Sequence, residues 1–180
     1  MNLIDIILLA IALGIDCLVV SFAQGLIFTE NKVKNSISLA VSMGGFQGVM
    51  PVIGFVGASY IQDFIAPYSK WIVFAIFLTL GLKFILESFQ IKKEELCCMG
   101  LRCLISLGVA TSIDALVAGA SINLTETPLV LSAIIIGLVS FVMSLVGFWT
   151  GNLGTKFPPR HLEISGGMIL IFLALKSILI

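Results

Sequence analysis

The chain has 180 residues, 59% hydrophobic and 11% charged, with a mean hydropathy of +1.16 and a formal net charge of zero. Soluble domains carry about a quarter of their residues charged, so this composition points to an integral membrane protein and leaves no length for a separate soluble domain. Zero net charge and the lack of a basic patch exclude nucleic acid as a partner.

The opening MNLIDIILLA has no basic n-region, so the first apolar run is expected to stay as a helix rather than be removed as a secretory signal. Six runs are long enough to cross about 30 Å of hydrocarbon. They lie near Leu3–Phe28, Ser36–Ile61, Tyr68–Phe89, Leu101–Leu124, Leu129–Leu153 and Leu162–Ile180. The second and fifth contain no Asp, Glu, Lys or Arg. Polar breaks such as TENKVKN, QIKKEELCC and GTKFPPR separate the runs.

Lys32, Lys34, Lys83, Lys92, Lys93, Arg102, Lys156 and Arg160 fall on one side of such a bundle, against Lys70 and Lys176 on the other. Because basic residues stay cytoplasmic, the loops after the first, third and fifth helices are expected inside and both termini outside. The expected location is the plasma membrane of a bacterium, with lipid as surroundings and the oligomeric state left open. The four cysteines, Cys17, Cys97, Cys98 and Cys103, do not have the spacing of a secreted disulfide framework and are expected as reduced thiols.

Within the first run, GIDCLVVSFAQG carries Asp16 near mid-span, with Asp5 and Glu30 its nearest charged neighbours in sequence. An aspartate at that depth costs about 2.5–3.5 kcal/mol on insertion scales, so it needs a proton, a partner or a polar cavity. The chain also repeats itself. At an offset of 98, Ala12, Ile15, Asp16, Leu18 and Val19 meet Ala110, Ile113, Asp114, Leu116 and Val117. At an offset of 93, Val49, Met50, Gly54 and Phe55 meet Val142, Met143, Gly147 and Phe148, and Leu80, Leu82, Lys83 and Leu86 meet Leu173, Leu175, Lys176 and Leu179. Three helices per half is an odd number, so the second half enters the membrane inverted, as in many transporters. The expected fold is an all-α membrane protein of six helices in two inverted repeats, residues 1–90 and 101–180, joined by a cytoplasmic linker at 91–100. Asp16 and Asp114 then form a paired site at similar depth.

The same repeats place small residues on the second and fifth helices, where Gly54 and Ala58 match Gly147 and Gly151, with Gly44 and Gly48 as a second small face. Pro51 is expected to kink the second helix and free a carbonyl near Gln47. One turn before Asp114, Thr111 shares its face and is a candidate second oxygen ligand. Gln47 and its counterpart Ser140 offer further oxygens. Carboxylate, amide and hydroxyl donors suit Mg²⁺, Ca²⁺ or Mn²⁺ and fit Zn²⁺ or Cu⁺ poorly. Cys17 adjoins Asp16 but projects about 100° around the helix from it, so it is expected off the site. His161 is expected as a solvated loop residue.

These stretches, together with FQGVMPVIG and EISGGMILIFLALKSIL, resemble the manganese efflux pump family known as MntP, within the wider lysine-exporter-like superfamily. The resemblance extends over the whole chain. It implies a six-helix inner-membrane exporter of Mn²⁺ with Asp16 and Asp114 as the essential acids, no permanent cofactor and no enzymatic activity. Some relatives hold a carboxylate where this chain has Gln47, and Glu163 matches an acid of the family's closing stretch. Metal–proton antiport is one possible driving force. The residues alone also leave open export of another cation or small solute, an intramembrane aspartyl protease, or a non-transporting protein on the same scaffold. The protease reading is the weakest, because GID and SID stand where such enzymes have YD and GxGD.

Overall fold

The structure is a computed structural model that describes residues 3–28, 30–60, 66–87, 100–125, 127–153, 164 and 168–176. All of the regular structure in these residues is helical: α1 (Leu3–Ile27), α2 (Lys32–Ser59), a single 3₁₀ turn (Ala66–Tyr68), α3 (Ser69–Glu87), α4 (Leu101–Leu124), α5 (Leu129–Asn152) and a last stretch, α6, over 168–176. Four of them, α1, α2, α4 and α5, are long and apolar enough to cross a membrane; within α3 the apolar stretch is Trp71–Leu80. The chain is thus an all-helical, multi-pass membrane protein. For the first five runs the expected boundaries agree with the helices to within a few residues, except that α2 begins four residues early; both ends of the sixth run lie outside the described residues. There Asn31 adopts a left-handed conformation (φ 48°) and the Asn35 amide donates to the Glu30 carbonyl at 2.9 Å, which carries Lys32 and Lys34 into the first turn. Long lysine stems can lie along apolar surface while the charge stays in water.

Helix α1 packs along α5, α2 packs along α4, and α2 also crosses α5. The registers give the directions. Gly14 meets Met143, Leu18 meets Gly147 and Phe22 meets Gly151, so α1 and α5 run parallel. Ser42 donates to the Leu104 carbonyl at 2.7 Å, Phe46 meets Gly108 and Pro51 meets Gly119, so α2 and α4 also run parallel. Gly44 meets Phe141 while Gly48 meets Ala133, so α2 and α5 run antiparallel.

Glycine makes these approaches possible. The α-carbon of Gly147 lies on the Leu18 carbonyl and that of Gly54 on the Leu116 carbonyl, where any Cβ would collide with main chain. The two small-residue faces therefore seat different partners: Gly54 and Gly147 receive α4 and α1, while Gly44 and Gly48 receive α5. In a bilayer such close backbone packing replaces the hydrophobic drive of a soluble core. The offsets of 98 and 93 found in the sequence interchange the Leu18–Gly147 and Leu116–Gly54 contacts. They likewise turn the 2.6 Å hydrogen bond between the Ser21 and Ser144 hydroxyls into the contact of Gly119 with Pro51. Gly44 and Gly137, counterparts of one another, touch: a Cβ on Gly44 would stand 2.9 Å from the Gly137 carbonyl, and one on Gly137 would stand 3.0 Å from that of Gly44.

One apolar core runs through Leu9, Ala12, Leu13 and Ile15 of α1, Ala115, Ala118 and Ile122 of α4, and Ile136 of α5, and extends to Phe77 of α3 and Leu170 and Leu173 of α6. At one end of this bundle the Lys176 ammonium pairs with Asp5 Oδ1 at 2.6 Å, tying the last helix to the first. The reduced thiols expected of the cysteines hold at Cys17, which is free and buried, but not at Cys103, which is disulfide-bonded. Cys97 and Cys98 lie outside the described residues.

Candidate metal-transport site

The site forms where α1, α2, α4 and α5 meet. Cys17, Gln47 and Ser140 are wholly buried there and Thr111 nearly so. Helix α2 contributes Gln47 one turn beyond Met43 and Gly44. Pro51, four residues further on, has no N–H to give the Gln47 main-chain carbonyl, so the kink residue and the polar residue act on the same turn.

The amide of Gln47 is oriented by its surroundings. Its Nε2 donates to the Thr111 carbonyl at 2.8 Å and lies 3.6 Å from the Cys17 sulfur. Of the two ends of the amide only the NH₂ can donate to a carbonyl, which fixes the nitrogen toward α4 and leaves Oε1 as an acceptor. That oxygen is buried with no hydrogen-bond partner. The Thr111 hydroxyl donates within its own helix to the Leu107 carbonyl at 2.9 Å and lies 3.2 Å from the Met43 sulfur. The Cys17 thiol stands beside both hydroxyls, Thr111 and Ser140.

The three neutral oxygens expected from sequence, Gln47, Thr111 and Ser140, are thus brought together from three helices. The two aspartates sit on the helices at either side. Asp16 adjoins Cys17 on α1 and is half-buried; Asp114 lies one turn beyond Thr111 on α4 and is buried. Neither is without a partner. Among the described residues no three His, Cys, Asp or Glu side chains converge on one point. Any polyvalent ion held here would therefore rely on the neutral oxygens as well as on the acids. His161 and Glu163 lie outside the described residues.

Two buried groups lie outside the sequence expectations. Cys17, placed off the site by its angle from Asp16, is at the centre of the cluster. Gln24, two turns further along α1, is wholly buried, and neither its Nε2 nor its Oε1 has a partner. Its spacing of seven from Cys17 puts both on one helix face, and that periodicity is the signal that could have found it.

Carboxylate, amide and hydroxyl oxygens are the donor types that hard divalent ions accept. A family model described as "Putative manganese efflux pump" (Mntp) matches residues 30–178. A protein of Methanothermobacter thermautotrophicus named "Putative manganese efflux pump MntP" is 36% identical over 179 residues, 99% of this chain and 97% of its own length. Proteins of the same name from Methanosarcina mazei and Aliarcobacter butzleri are 39% and 33% identical, covering 94% and 98% of this chain and 91% and 99% of their own lengths. No solved structure matches the chain. A match along nearly the whole sequence, with relatives at a third identity or more over almost their full lengths, places this chain in the Mntp family.

Proposed function

We propose that the chain exports Mn²⁺ from the cytoplasm through six membrane-spanning helices arranged as two inverted three-helix repeats, residues 1–90 and 101–180 about a linker at 91–100. Family membership supports the manganese substrate. The helix directions support the inversion: α1 is parallel to α5, α2 to α4, and α2 is antiparallel to α5. The contacts that interchange under the repeat offsets support it further, with Gly44 and Gly137 at the pseudo-axis. Eight of ten basic residues on one side favour cytoplasmic loops after the first, third and fifth helices, with both termini outside.

One observation carries the site. Gln47 and Ser140 occupy matching repeat positions and are wholly buried, and Gln47 Oε1 has no partner. An unsatisfied buried polar group costs about 1–3 kcal/mol, and a passing cation would satisfy it. Asp16 and Asp114 supply the charge that a dication requires, with Gln47, Thr111 and Ser140 as neutral ligands. Metal binding requires deprotonated carboxylates. A carrier that releases Mn²⁺ outward and returns protonated therefore exchanges metal for protons.

Uptake of Mn²⁺ into inside-out vesicles that contain a pH dye tests both steps. The expected result is Mn²⁺ accumulation with alkalinisation of the lumen. Failure to accumulate Mn²⁺ overturns the export reading; accumulation with no pH response overturns antiport alone.

A further inference from the structure

The sulfur of Cys17 is not accounted for by a site built only from oxygen. It is buried without solvent contact, lies 3.6 Å from Gln47 Nε2 and stands beside the Thr111 and Ser140 hydroxyls. A buried cysteine by itself is ordinary packing. Here a further group of the same cluster, Gln47 Oε1, is a fully buried acceptor without a partner, an independent sign that the cluster is built to receive a ligand. Both hydrogens of the Gln47 amide have acceptors nearby, the Thr111 carbonyl and the Cys17 sulfur, so the amide holds the sulfur and leaves its own oxygen as a buried acceptor with no partner. The Met43 thioether, 3.2 Å from the Thr111 hydroxyl, adds a second polarisable sulfur on the same side.

Resting on the proposed transport site, we infer that Cys17 is a metal-contacting, specificity-determining residue that extends the cargo to thiophilic divalent cations such as Zn²⁺ and Cd²⁺. Oxygen donors alone discriminate against such ions, whereas one thiolate shifts the preference toward them. As the metal–sulfur bond forms, the thiol releases its proton to water. The ion keeps its charge, and the carboxylates balance what the sulfur does not. The repeat counterpart of Cys17 is Ala115, so only one side of the pseudo-axis offers a soft donor. A softer ion would therefore sit off centre, nearer α1.

The test uses the full chain in detergent with Cys97, Cys98 and Cys103 replaced by serine, leaving Cys17 as the only thiol. Titration with Cd²⁺ is expected to produce a sulfur-to-metal charge-transfer band that excess Mn²⁺ suppresses and that Cys17→Ser abolishes. In inside-out vesicles, Cys17→Ser is expected to lower the ratio of Cd²⁺ to Mn²⁺ uptake about tenfold, a loss on the scale of one metal-site contact. No band in the single-cysteine protein, or a band that Mn²⁺ leaves untouched, overturns the inference. If Cys17→Ser does not elute as a folded species, Cys17→Ala serves in its place, and the Mn²⁺ competition in the parent protein decides without either variant. The band reads binding and not transport, so it stands apart from the Mn²⁺ accumulation that tests export.

Discussion

The side-chain amide of Gln47 donates to the main-chain carbonyl of Thr111 at 2.8 Å, pinning α2 to α4 and leaving its own Oε1 buried without a partner. A glutamate at 47 could not make that donation when ionised, because carboxylate and carbonyl both accept. The residue therefore does two things at once: it fixes the helix pair and holds a buried oxygen that the proposed site would use as a neutral ligand. Gln47→Glu adds a negative charge beside the metal path and removes the pin. It is expected to lower the apparent KM for Mn²⁺ several-fold and to slow turnover, since a more tightly held ion leaves more slowly. Gln47→Leu removes the ligand without adding charge and is expected to raise the apparent KM about tenfold. Initial rates of vesicle uptake against Mn²⁺ concentration separate the two.

Charge is the part of the site that water cannot replace. Asp16→Asn and Asp114→Asn keep the size and hydrogen-bonding reach of each side chain while removing its charge. Each is expected to abolish Mn²⁺ resistance in an exporter-deleted bacterium at unchanged protein level. Thr111→Ala and Ser140→Ala are expected to reduce it only partly, because a water molecule can occupy a lost hydroxyl's place. Immunoblots of the membrane fraction beside growth curves in Mn²⁺ check this. Wild-type resistance in either asparagine variant would remove that aspartate from the site.

The helices were legible because their signal is local: apolar runs of spanning length, broken by polar loops, need no tertiary information. Gln47, Thr111 and Ser140 were legible through the repeat, which matched Gln47 to Ser140 across the chain, and through helical spacing, which put Thr111 beside Asp114. That Cys17 adjoins Gln47, Thr111 and Ser140 was not legible, for a physical reason. Its angle from Asp16 fixes its direction on α1 alone, whereas the neighbours of α1 decide which directions face the interior. Here α2, α4 and α5 close over the Cys17 side. Gln24 stands near the end of its span, where polar residues are ordinary, and only its helix-face spacing from Cys17 sets it apart. The pairing of Asp5 with Lys176 joins opposite ends of the chain, and no local pattern announces it.

The glycine seams make a prediction that separates packing from composition. At Gly54 and Gly147 a Cβ would meet the carbonyls of Leu116 and Leu18, while at Gly45 and Gly57 it would meet nothing within 4 Å. Gly54→Ala and Gly147→Ala are expected to destabilise by about 1–3 kcal/mol each, the usual cost of overpacking. Gly45→Ala and Gly57→Ala are expected to be neutral or slightly stabilising, as alanine in a helix favours folding by up to about 1 kcal/mol over glycine. Thermal unfolding in detergent checks the ranking. Equal effects at all four positions would contradict the seam.

Gln24 tests whether buried polarity is kept for transport at the expense of stability. Its Nε2 and Oε1 are both buried without partners, on the α1 face that carries Cys17 two turns away, about 10 Å along the axis. Leucine has similar volume and no polar atom to satisfy, and each unsatisfied group it removes is worth about 1–3 kcal/mol when buried. Gln24→Leu is therefore expected to raise the melting temperature. If Gln24 lines the path between the cytoplasm and the Gln47 cluster, the same change replaces a polar step with an apolar one, and the Mn²⁺ turnover rate is expected to fall several-fold while metal affinity at the cluster stays within about twofold. Melting curves, equilibrium Mn²⁺ binding and vesicle uptake on one preparation read the three quantities. A stabilised protein with undiminished turnover would show that Gln24 only fills space; lower turnover in a protein that melts no earlier would show that its amide serves the passing ion.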